Sequence, residues 1–322
     1  MHKILITGSA GFIGFHLHDY LSKKKFKVYG CDNLSSISRK TQKLRLKEIK
    51  KRRLSFYNID VNNFSLLKKK FEKKKIDIII HLAAQPGVRI SQINPNSTLK
   101  NNLFSFVNIF ELSKLLKPKL VVYASSSSVY GNTNIFKENL KSNQPVSIYG
   151  VSKLTNEYLS KTYNYLYKIN SVGLRFFTVY GPFGREDMSY YKFLNSIKKE
   201  RSITIYGNKS SRRSFTYIDD IVISILKLIQ KLKNKKNVCD IYNIGSAKSI
   251  RLSDMIKILK KNVKVRFKEK YTKRNKADVF KTKSNNFKLI NKIKFSPKIN
   301  LEDGLKKFCN WYKLFIYKDL IK

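Results

Sequence analysis

Residues 3–14 have the sequence KILITGSAGFIG, and this stretch decides the fold. The apolar run KILIT predicts a buried strand, and Gly8, Gly11 and Gly14 follow it at the start of a predicted helix. Glycines allow a tight turn and a close backbone approach, and the helix N-terminus offers free N–H groups to a pyrophosphate. Asp32 ends the next predicted strand, where a carboxylate accepts ribose hydroxyls and repels a 2′-phosphate. We therefore expect a dinucleotide site that takes NAD rather than NADP.

Predicted strands and helices alternate over the first 180 residues. After the first unit, the predicted strands are 26–31, 54–58, 76–80, 119–124 and 171–177, with helices at 96–116 and 149–168. Such alternation is typical of βαβ units in a parallel sheet. We therefore predict an α/β fold, a doubly wound parallel Rossmann-type sheet with a smaller α/β C-terminal domain.

The alternation breaks after Gly181, which suggests a division into two domains. Residues 1–180 are expected to form the dinucleotide-binding domain. Residues 220–247 contain a predicted helix and strand, so we expect them to return to its sheet. The segments 181–219 and 248–322 are expected to form the second domain.

The charge of the chain is strongly positive. Its 322 residues include 67 Lys and Arg against 21 Asp and Glu, a net charge of +46. This indicates either a polyanion-binding protein or a basic composition spread evenly over a solvated surface. Basic runs such as 68–70 and 73–75 recur along the chain, and no nucleic-acid-binding motif is present. We therefore favour the second interpretation and expect no specific nucleic-acid partner.

Other compositional features restrict the class of protein further. No run of 18 apolar residues occurs, so we expect no membrane span. Cys31, Cys239 and Cys309 are odd in number and form no CxxC pair, and the four histidines are not clustered. We therefore expect neither disulfides nor a metal site, and a location in the reducing cytoplasm.

Tyr149 and Lys153 stand four residues apart at the start of a predicted helix, which places both on one face. An ammonium beside a phenol favours the phenolate. At about 4 Å and an effective dielectric constant of about 20, the attraction is about 4 kcal/mol before desolvation is subtracted. We therefore expect Lys153 to lower the pKa of Tyr149 toward neutrality, where the phenol acts as a general base. The serines at 125–128 follow a predicted buried strand, at the edge where such sheets bind ligands.

Further stretches of the chain resemble those of one family. They are AQPGVR at 84–89, RFFTVYGP at 175–182, GREDM at 184–188 and RRSFTYIDD at 212–220. The family has a closely similar AAQ–GVR run, and the motifs RFFTVYGP, GRPDM and RRDFTYIDD. With its GxxGxxG turn, the sequence resembles the NAD-dependent epimerase/dehydratases, which are extended short-chain dehydrogenases/reductases. Within them it is most similar to the UDP-glucuronate 4-epimerases, and the similarity covers nearly the whole chain.

The resemblance implies the residues that bind NAD and carry out the reaction. The implied catalytic residues are Ser126, Tyr149 and Lys153. The implied cofactor-binding residues are Gly8, Gly11, Phe12, Ile13, Gly14, Asp32, Asn33, Asp60, Val61, Leu82, Ala83, Ala84, Asn102, Ser125, Tyr149, Lys153 and Phe176.

The resemblance also implies that the second domain binds a UDP-sugar. The implied substrate-binding residues are Gln85, Val88, Arg89, Ser126, Ser127, Ser128, Tyr149, Thr178, Arg185, Tyr206, Arg213 and Asp278. Three features depart from the family pattern. Ser214 replaces an aspartate, Pro86 interrupts the AAQ–GVR run, and at 275–278 only Asp278 matches a Gly-Asp pair. Members of the family are commonly dimers, so we expect a homodimer formed through 96–116 and 149–168.

Several alternatives remain open at this stage. A UDP-glucose/galactose 4-epimerase usually carries asparagine at the position of Thr178. A UDP-sugar dehydratase or decarboxylase usually has an acidic residue at the position of Ser127. Because this chain has serine there, those two activities are disfavoured. Non-enzymatic alternatives are a nucleotide-sugar-binding scaffold, which would have a broken Ser/Tyr/Lys set, and a polyanion-binding protein.

Overall fold

A computed structural model describes residues 2–24, 26–36, 38–139, 143–273 and 279–318. Within them the chain forms thirteen strands: β1 (Lys3–Thr7), β2 (Lys27–Asp32), β3 (Phe56–Asn58), β4 (Ile78–His81), β5 (Leu120–Ser126), β6 (Ser171–Phe176), β7 (Thr178–Tyr180), β8 (Ser202–Tyr206), β9 (Arg212–Arg213), β10 (Phe215–Tyr217), β11 (Cys239–Ile244), β12 (Ile250–Arg251) and β13 (Lys268–Thr272).

The same residues form twelve α-helices: α1 (Phe12–Lys23), α2 (Arg39–Lys51), α3 (Phe64–Phe71), α4 (Val88–Ile93), α5 (Pro95–Leu99), α6 (Ser105–Leu116), α7 (Ile148–Tyr167), α8 (Ser189–Glu200), α9 (Ile218–Leu232), α10 (Leu252–Asn262), α11 (Phe287–Ile293) and α12 (Leu301–Phe315). Each of them is too short or too polar to span a bilayer.

Seven of the strands form one parallel sheet, in the order β11-β6-β5-β4-β1-β2-β3. β4 and the core of β5 are continuous apolar runs because helices cover both faces of the sheet. The strand order runs outward in opposite directions from β1 and β4. This makes their carboxyl ends a topological switch point, where such sheets bind ligands. The predicted α/β fold with a doubly wound parallel sheet is confirmed.

The rest of the chain forms three small ladders and further helices. β7 pairs with β10, β8 with β13, and β9 with β12. β11 pairs with β6 in parallel and so lies within the large sheet. One hydrophobic cluster extends from Ile4 in β1 to Tyr312 in α12, and it joins the large sheet to the C-terminal helices. The division into two domains stays a prediction.

The helix expected over 96–116 is divided into three parts. Asn94 caps α5 by accepting a hydrogen bond from the Ser97 N–H, and Pro95 occupies the first helical position. A wider π-helical stretch over Lys100–Phe104 then leads into α6. Such stretches insert an extra residue into a helix and are frequent at functional sites. Here the stretch contains Asn102, which is fully buried.

Candidate active site

A cleft of about 870 Å³ lies at the carboxyl ends of the parallel strands, between the sheet and the segment that includes α8 and β8. Every predicted site residue except Asn102 and Asp278 lines this cleft. Asp278 lies outside the described residues. The fold therefore brings the predicted cofactor and substrate residues together, and their individual roles remain predictions.

The glycine turn at one end of the cleft requires its glycines for steric reasons. Gly8 has φ +70°, a left-handed conformation that a side chain disfavours. The Gly11 N–H donates to the Gly8 carbonyl over 2.9 Å. A Cβ on Gly14 would lie only 2.1 Å from the Gly8 carbonyl oxygen, so α1 starts directly against the turn. This geometry presents the N-terminus of α1 to the cleft, as a bound pyrophosphate requires.

Two carboxylates stand at the ends of β2 and β3, where a nucleoside ribose would bind. Asp32 accepts hydrogen bonds from the backbone N–H groups of Ala10, over 3.0 Å, and Leu34, over 2.8 Å. Desolvation raises the pKa of Asp32, and these two bonds oppose the rise. Asp60 accepts a hydrogen bond from the Asn33 amide over 3.1 Å. Negative groups at this position suit ribose hydroxyls better than a 2′-phosphate.

The side chains predicted to be catalytic come from β5 and α7. Ser126 ends β5, and its hydroxyl oxygen accepts the Ser128 N–H over 3.1 Å. Ser147 caps α7 by accepting the Gly150 N–H over 3.1 Å, which fixes where the helix begins. Tyr149 therefore lies in the first turn, and Lys153 lies one turn further along the same face. The Lys153 Nζ is 6.0 Å from the centroid of the Tyr149 ring.

The expectation that Lys153 lowers the pKa of Tyr149 is wrong: the surroundings that the protein provides raise this pKa. Desolvation raises the pKa of Tyr149, and the opposing influences come from Arg185 and the Ser126 hydroxyl. Lys153 is 3% exposed, and its burial lowers its own pKa to about 8. Desolvation of the buried phenol outweighs the groups that lower its pKa.

A buried ion pair between Glu157 and Arg175 holds the serine segment at the end of β5. The Ser125 hydroxyl donates to Glu157 Oε1 over 2.5 Å. Glu157 in turn accepts two hydrogen bonds from Arg175, over 2.8 and 2.7 Å. Paired hydrogen bonds of this kind are strong and directional, so they fix the end of β5 relative to α7. Sequence reasoning missed Glu157, although its place one turn after Lys153 was a signal.

Asn102 is fully buried beside the cleft and holds two of the segments that form it. Its side chain accepts the Gln85 N–H over 2.7 Å and donates to the Gln85 carbonyl over 3.2 Å. It also donates to the Ser152 hydroxyl over 2.9 Å. Asn102 thus ties the 82–89 segment to α7, and its side chain does not line the cleft.

The opposite end of the cleft is basic and aromatic. Arg185 forms two hydrogen bonds with Asp187, over 2.9 and 2.5 Å, and its charge acts on Tyr149. The Arg89 guanidinium lies 4.1 Å from the centroid of the Tyr206 ring. Arg213 donates to the Phe280 carbonyl over 3.0 Å and lines the cleft. Arginines here suit a diphosphate by charge and geometry.

Sequence reasoning also missed Arg45, a cleft residue that is 1% exposed. Its guanidinium donates to the carbonyls of Ala10, over 2.6 Å, and Phe183, over 2.7 Å. The residue lies in α2 among several exposed lysines. The only sequence signal was its spacing of four residues from Thr41 and Ile49, which are also buried.

Ser214 shows why one departure from the family pattern has little effect on the cleft. Its side chain is fully buried outside the cleft, and its hydroxyl donates to the Ser246 carbonyl over 2.6 Å. The departure at 275–278 lies outside the described residues.

The fold and this cleft define a nucleotide-cofactor enzyme of the short-chain dehydrogenase type, and comparison with known proteins identifies its family. The chain belongs to the NAD dependent epimerase/dehydratase family, whose model matches residues 4–245. It is 40% identical to a UDP-glucuronate 4-epimerase of Thermodesulfobacterium geofontis, with 97% of each chain covered.

Two solved structures show the same similarity. One is the UDP-glucuronic acid 4-epimerase of Bacillus cereus in complex with UDP-glucuronic acid and NAD, with a TM-score of 0.87, 30% identity and coverage of 97% of this chain and 99% of that chain. The other is the UDP-glucose 4-epimerase of Thermotoga maritima with UDP-glucose, with a TM-score of 0.84, 26% identity and coverage of 97% and 99%.

Proposed function

We propose that this protein is an NAD-dependent UDP-sugar 4-epimerase that interconverts UDP-glucuronate and UDP-galacturonate. The observation that carries the proposal is the placement of Ser126, Tyr149 and Lys153 in one cleft, between the glycine turn and the arginines of the opposite end. The 40% identity to a UDP-glucuronate 4-epimerase over nearly the whole chain supports the choice of substrate.

In the proposed mechanism, Tyr149 takes the proton from the sugar C4 hydroxyl and later returns it. Ser126 holds the C4 oxygen, and Lys153 holds the cofactor ribose and adds positive charge near the phenol. Bound NAD supplies a hydride acceptor and donor at C4. Because burial raises the pKa of Tyr149, the phenolate depends on the opposing influences of Arg185 and the Ser126 hydroxyl, and a bound oxidised nicotinamide would add positive charge that favours it further.

Epimerisation requires the sugar to present both faces while the rest of the substrate stays bound. The binding energy must therefore come from the UDP portion, which is the same in both sugars. Arg185, Tyr206 and Arg213 line that end of the cleft and are proposed to hold it. The sugar pocket itself must accept two orientations.

An acidic sugar adds a further requirement. Oxidation at C4 turns the C5 carboxylate into part of a β-keto acid, which loses CO₂ readily when the breaking bond aligns with the carbonyl. We propose that Ser127, Ser128 and Thr178 hold the carboxylate out of that alignment. All three line the cleft, and their hydroxyls hydrogen-bond a carboxylate without providing an acid catalyst.

Incubation of the purified protein with UDP-glucuronate is expected to give UDP-galacturonate, without net formation of NADH and without release of CO₂. The measurement is chromatography of the nucleotide sugars, together with analysis of the dinucleotide released on denaturation. UDP-glucose in a parallel assay is the control, and we expect at least about tenfold lower kcat/KM for it, the effect of about 1.4 kcal/mol. Release of CO₂, or faster conversion of UDP-glucose, would contradict the proposed substrate.

We also propose that two copies of the chain associate through α6 and α7. Val151, Tyr158 and Tyr165 recur every seven residues on α7, with exposed fractions of 45%, 57% and 76%. Phe104 and Leu115 add exposed apolar surface at and near α6. Seven-residue spacing places these side chains along one helical face, which suits packing against the same face of a second copy.

Introduction of lysines at Val151 and Tyr158 is expected to weaken this dimer by at least about 100-fold, because desolvating two charges per copy costs several kcal/mol. Sedimentation velocity at several protein concentrations measures the change. Leu314→Lys is the matched control, since Leu314 is 80% exposed on α12. A double variant that remains as dimeric as the parent would rule out this interface.

A cytoplasmic location completes the proposal. Cys31, Cys239 and Cys309 are free thiols, and Cys31 and Cys309 are buried. Unpaired cysteines are typical of reducing compartments.

A further inference from the structure

Hydrogen bonds connect the cofactor half of the cleft to the substrate half at the start of α2. Glu186 Oε1 accepts from the Thr41 N–H over 2.8 Å and from the Thr41 hydroxyl over 3.2 Å. The Glu186 N–H donates to the Ser38 hydroxyl over 3.0 Å. We call this group, together with Arg45 and Phe183, the α2 clasp.

Arg45 forms the deepest part of the α2 clasp. Its guanidinium joins the Ala10 carbonyl in the glycine turn to the Phe183 carbonyl in the 182–188 loop. The Ala10 N–H is bonded to Asp32, so the same short segment also holds the ribose-binding carboxylate. One buried side chain therefore touches the backbone of both halves of the site.

The 182–188 loop is held in an unusual conformation by these contacts. Phe183 has φ +56°, which costs a bulky residue about 1–3 kcal/mol. Its ring packs against Phe15, Trp311 and Phe315 at centroid distances of 5.1, 5.1 and 5.4 Å. Such a conformation persists only where the surroundings fix it, and Arg45 supplies the hydrogen bond to its carbonyl.

The two sides of the α2 clasp border different parts of the cleft. Ser38 and Arg45 line it beside the carboxylates proposed to bind ribose. Arg185 and Asp187 line it beside Tyr149, on either side of Glu186 in sequence. A shift of the loop would therefore move Arg185 relative to Tyr149, and a shift of α2 would move the walls of the cofactor site.

Glu186 is also distinctive in sequence. It stands where the related motif GRPDM has proline. Proline has neither a backbone N–H nor a side-chain acceptor, so it can form none of the three hydrogen bonds of Glu186. The connection through Thr41 and Ser38 is thus a property of this chain rather than of the motif.

We propose that Glu186 is a positioning residue that couples the binding of NAD to the binding of the UDP portion of the substrate. A ligand that steadies the 182–188 loop also steadies α2 and the glycine turn through the α2 clasp, and the reverse holds. Coupling between two binding sites is reciprocal, so UDP must tighten the binding of NAD as much as NAD tightens the binding of UDP. The inference rests on the proposed function.

The test is the rate of NAD loss from the holoenzyme after dilution, without and with saturating UDP. UDP carries no sugar, so no turnover interferes. Changes in affinity appear mainly in dissociation rates, and couplings of this kind are typically 5–150-fold. We expect UDP to slow NAD loss by about tenfold in the parent protein and by less than about threefold in Glu186→Ala.

Three further variants make the result specific. Glu186→Gln keeps an acceptor oxygen for Thr41 and is expected to retain most of the UDP effect. Glu48 lies on α2 outside the α2 clasp and pairs with Arg52. Glu48→Ala therefore removes a carboxylate from α2 and is expected to leave the UDP effect unchanged. Glu186→Pro introduces the residue of the related motif, and it is expected to lose the effect as Glu186→Ala does. The melting temperature of each variant is measured alongside, so that a loss of the UDP effect is counted only for a folded protein.

The outcomes separate this inference from the proposed function. If UDP slows NAD loss equally in the parent, Glu186→Ala and Glu186→Pro, then UDP acts by covering the dinucleotide directly and the coupling role of Glu186 is refuted. If UDP has no effect on NAD loss in the parent, the inference also fails, while the proposed reaction stands. A purified protein that binds no NAD under any condition overturns both.

Discussion

Replacement of Tyr149 by phenylalanine is expected to lower kcat for the UDP-sugar by about 10³-fold, because a positioned general base contributes about 10²–10⁴-fold to a proton-transfer step. Phenylalanine keeps the ring and its packing in the first turn of α7. The substitution leaves Arg185, Tyr206 and Arg213, the residues proposed to hold UDP, in place in the cleft, so KM should change by less than about threefold. Initial rates over a range of substrate concentrations measure both constants.

The control for this prediction is Tyr167→Phe. Tyr167 lies on the same helix, outside the proposed dimer face, and is 47% exposed, so loss of its hydroxyl should leave kcat unchanged. Bound NAD and the melting temperature should match the parent in both variants. A Tyr149→Phe protein that retained more than about a tenth of the parent kcat would show that another group takes the proton.

The large sheet could be predicted because its signals are local. β1, the glycine turn and α1 follow one another in the sequence, and β4 is a single apolar run. The small ladders could not be predicted in the same way. β9 has two residues and β10 has three, and Phe215 of β10 pairs with Thr178 across a long separation in sequence. Strands this short have no periodicity of their own, so only the folded chain defines them.

The same difference between local signals and contacts across distant parts of the sequence decides which residues of the candidate site could be predicted. Residues inside recognisable motifs, such as Gly14, Tyr149 and Arg185, were predicted and lie in the cleft. Arg45 was not, because its role depends on Phe183, which is 138 residues away. The pKa of Tyr149 was predicted in the wrong direction for a related reason. Spacing along a helix gives neither the true distance between two charges nor the cost of desolvating them.

Replacement of Lys153 by methionine is expected to abolish most activity and yet to stabilise the protein at neutral pH. Burial lowers the pKa of Lys153 to about 8 from an ordinary value of 10.5. At pH 7 the folded protein therefore holds an ammonium in an unfavourable place, at a cost of about 3 kcal/mol for a shift of this size. Methionine has a similar shape and carries no charge, so the variant should gain about that free energy of unfolding.

The pH dependence distinguishes this cause from a change in packing. Between pH 8 and 10.5 the unfolded chain binds more protons at Lys153 than the folded chain, so the parent gains stability from this group as the pH rises. The difference between Lys153→Met and the parent should fall from about 3 kcal/mol at pH 7 to less than about 1 kcal/mol at pH 10. Urea unfolding at both pH values measures it, with NAD removed from both proteins because a bound ligand adds its own stability.

A constant difference between the two pH values would mean that the methionine acts through packing, and a loss of stability at pH 7 would mean that the ammonium has a compensating partner in the fold. Lys161→Met on the exposed side of α7 is the matched control and should change stability by less than about 0.5 kcal/mol. The expected pairing of higher stability with lost activity has a physical origin. A charge that the fold disfavours would be retained where the proposed reaction needs it, and the stability lost at Lys153 would be the cost of keeping an ammonium in the cleft.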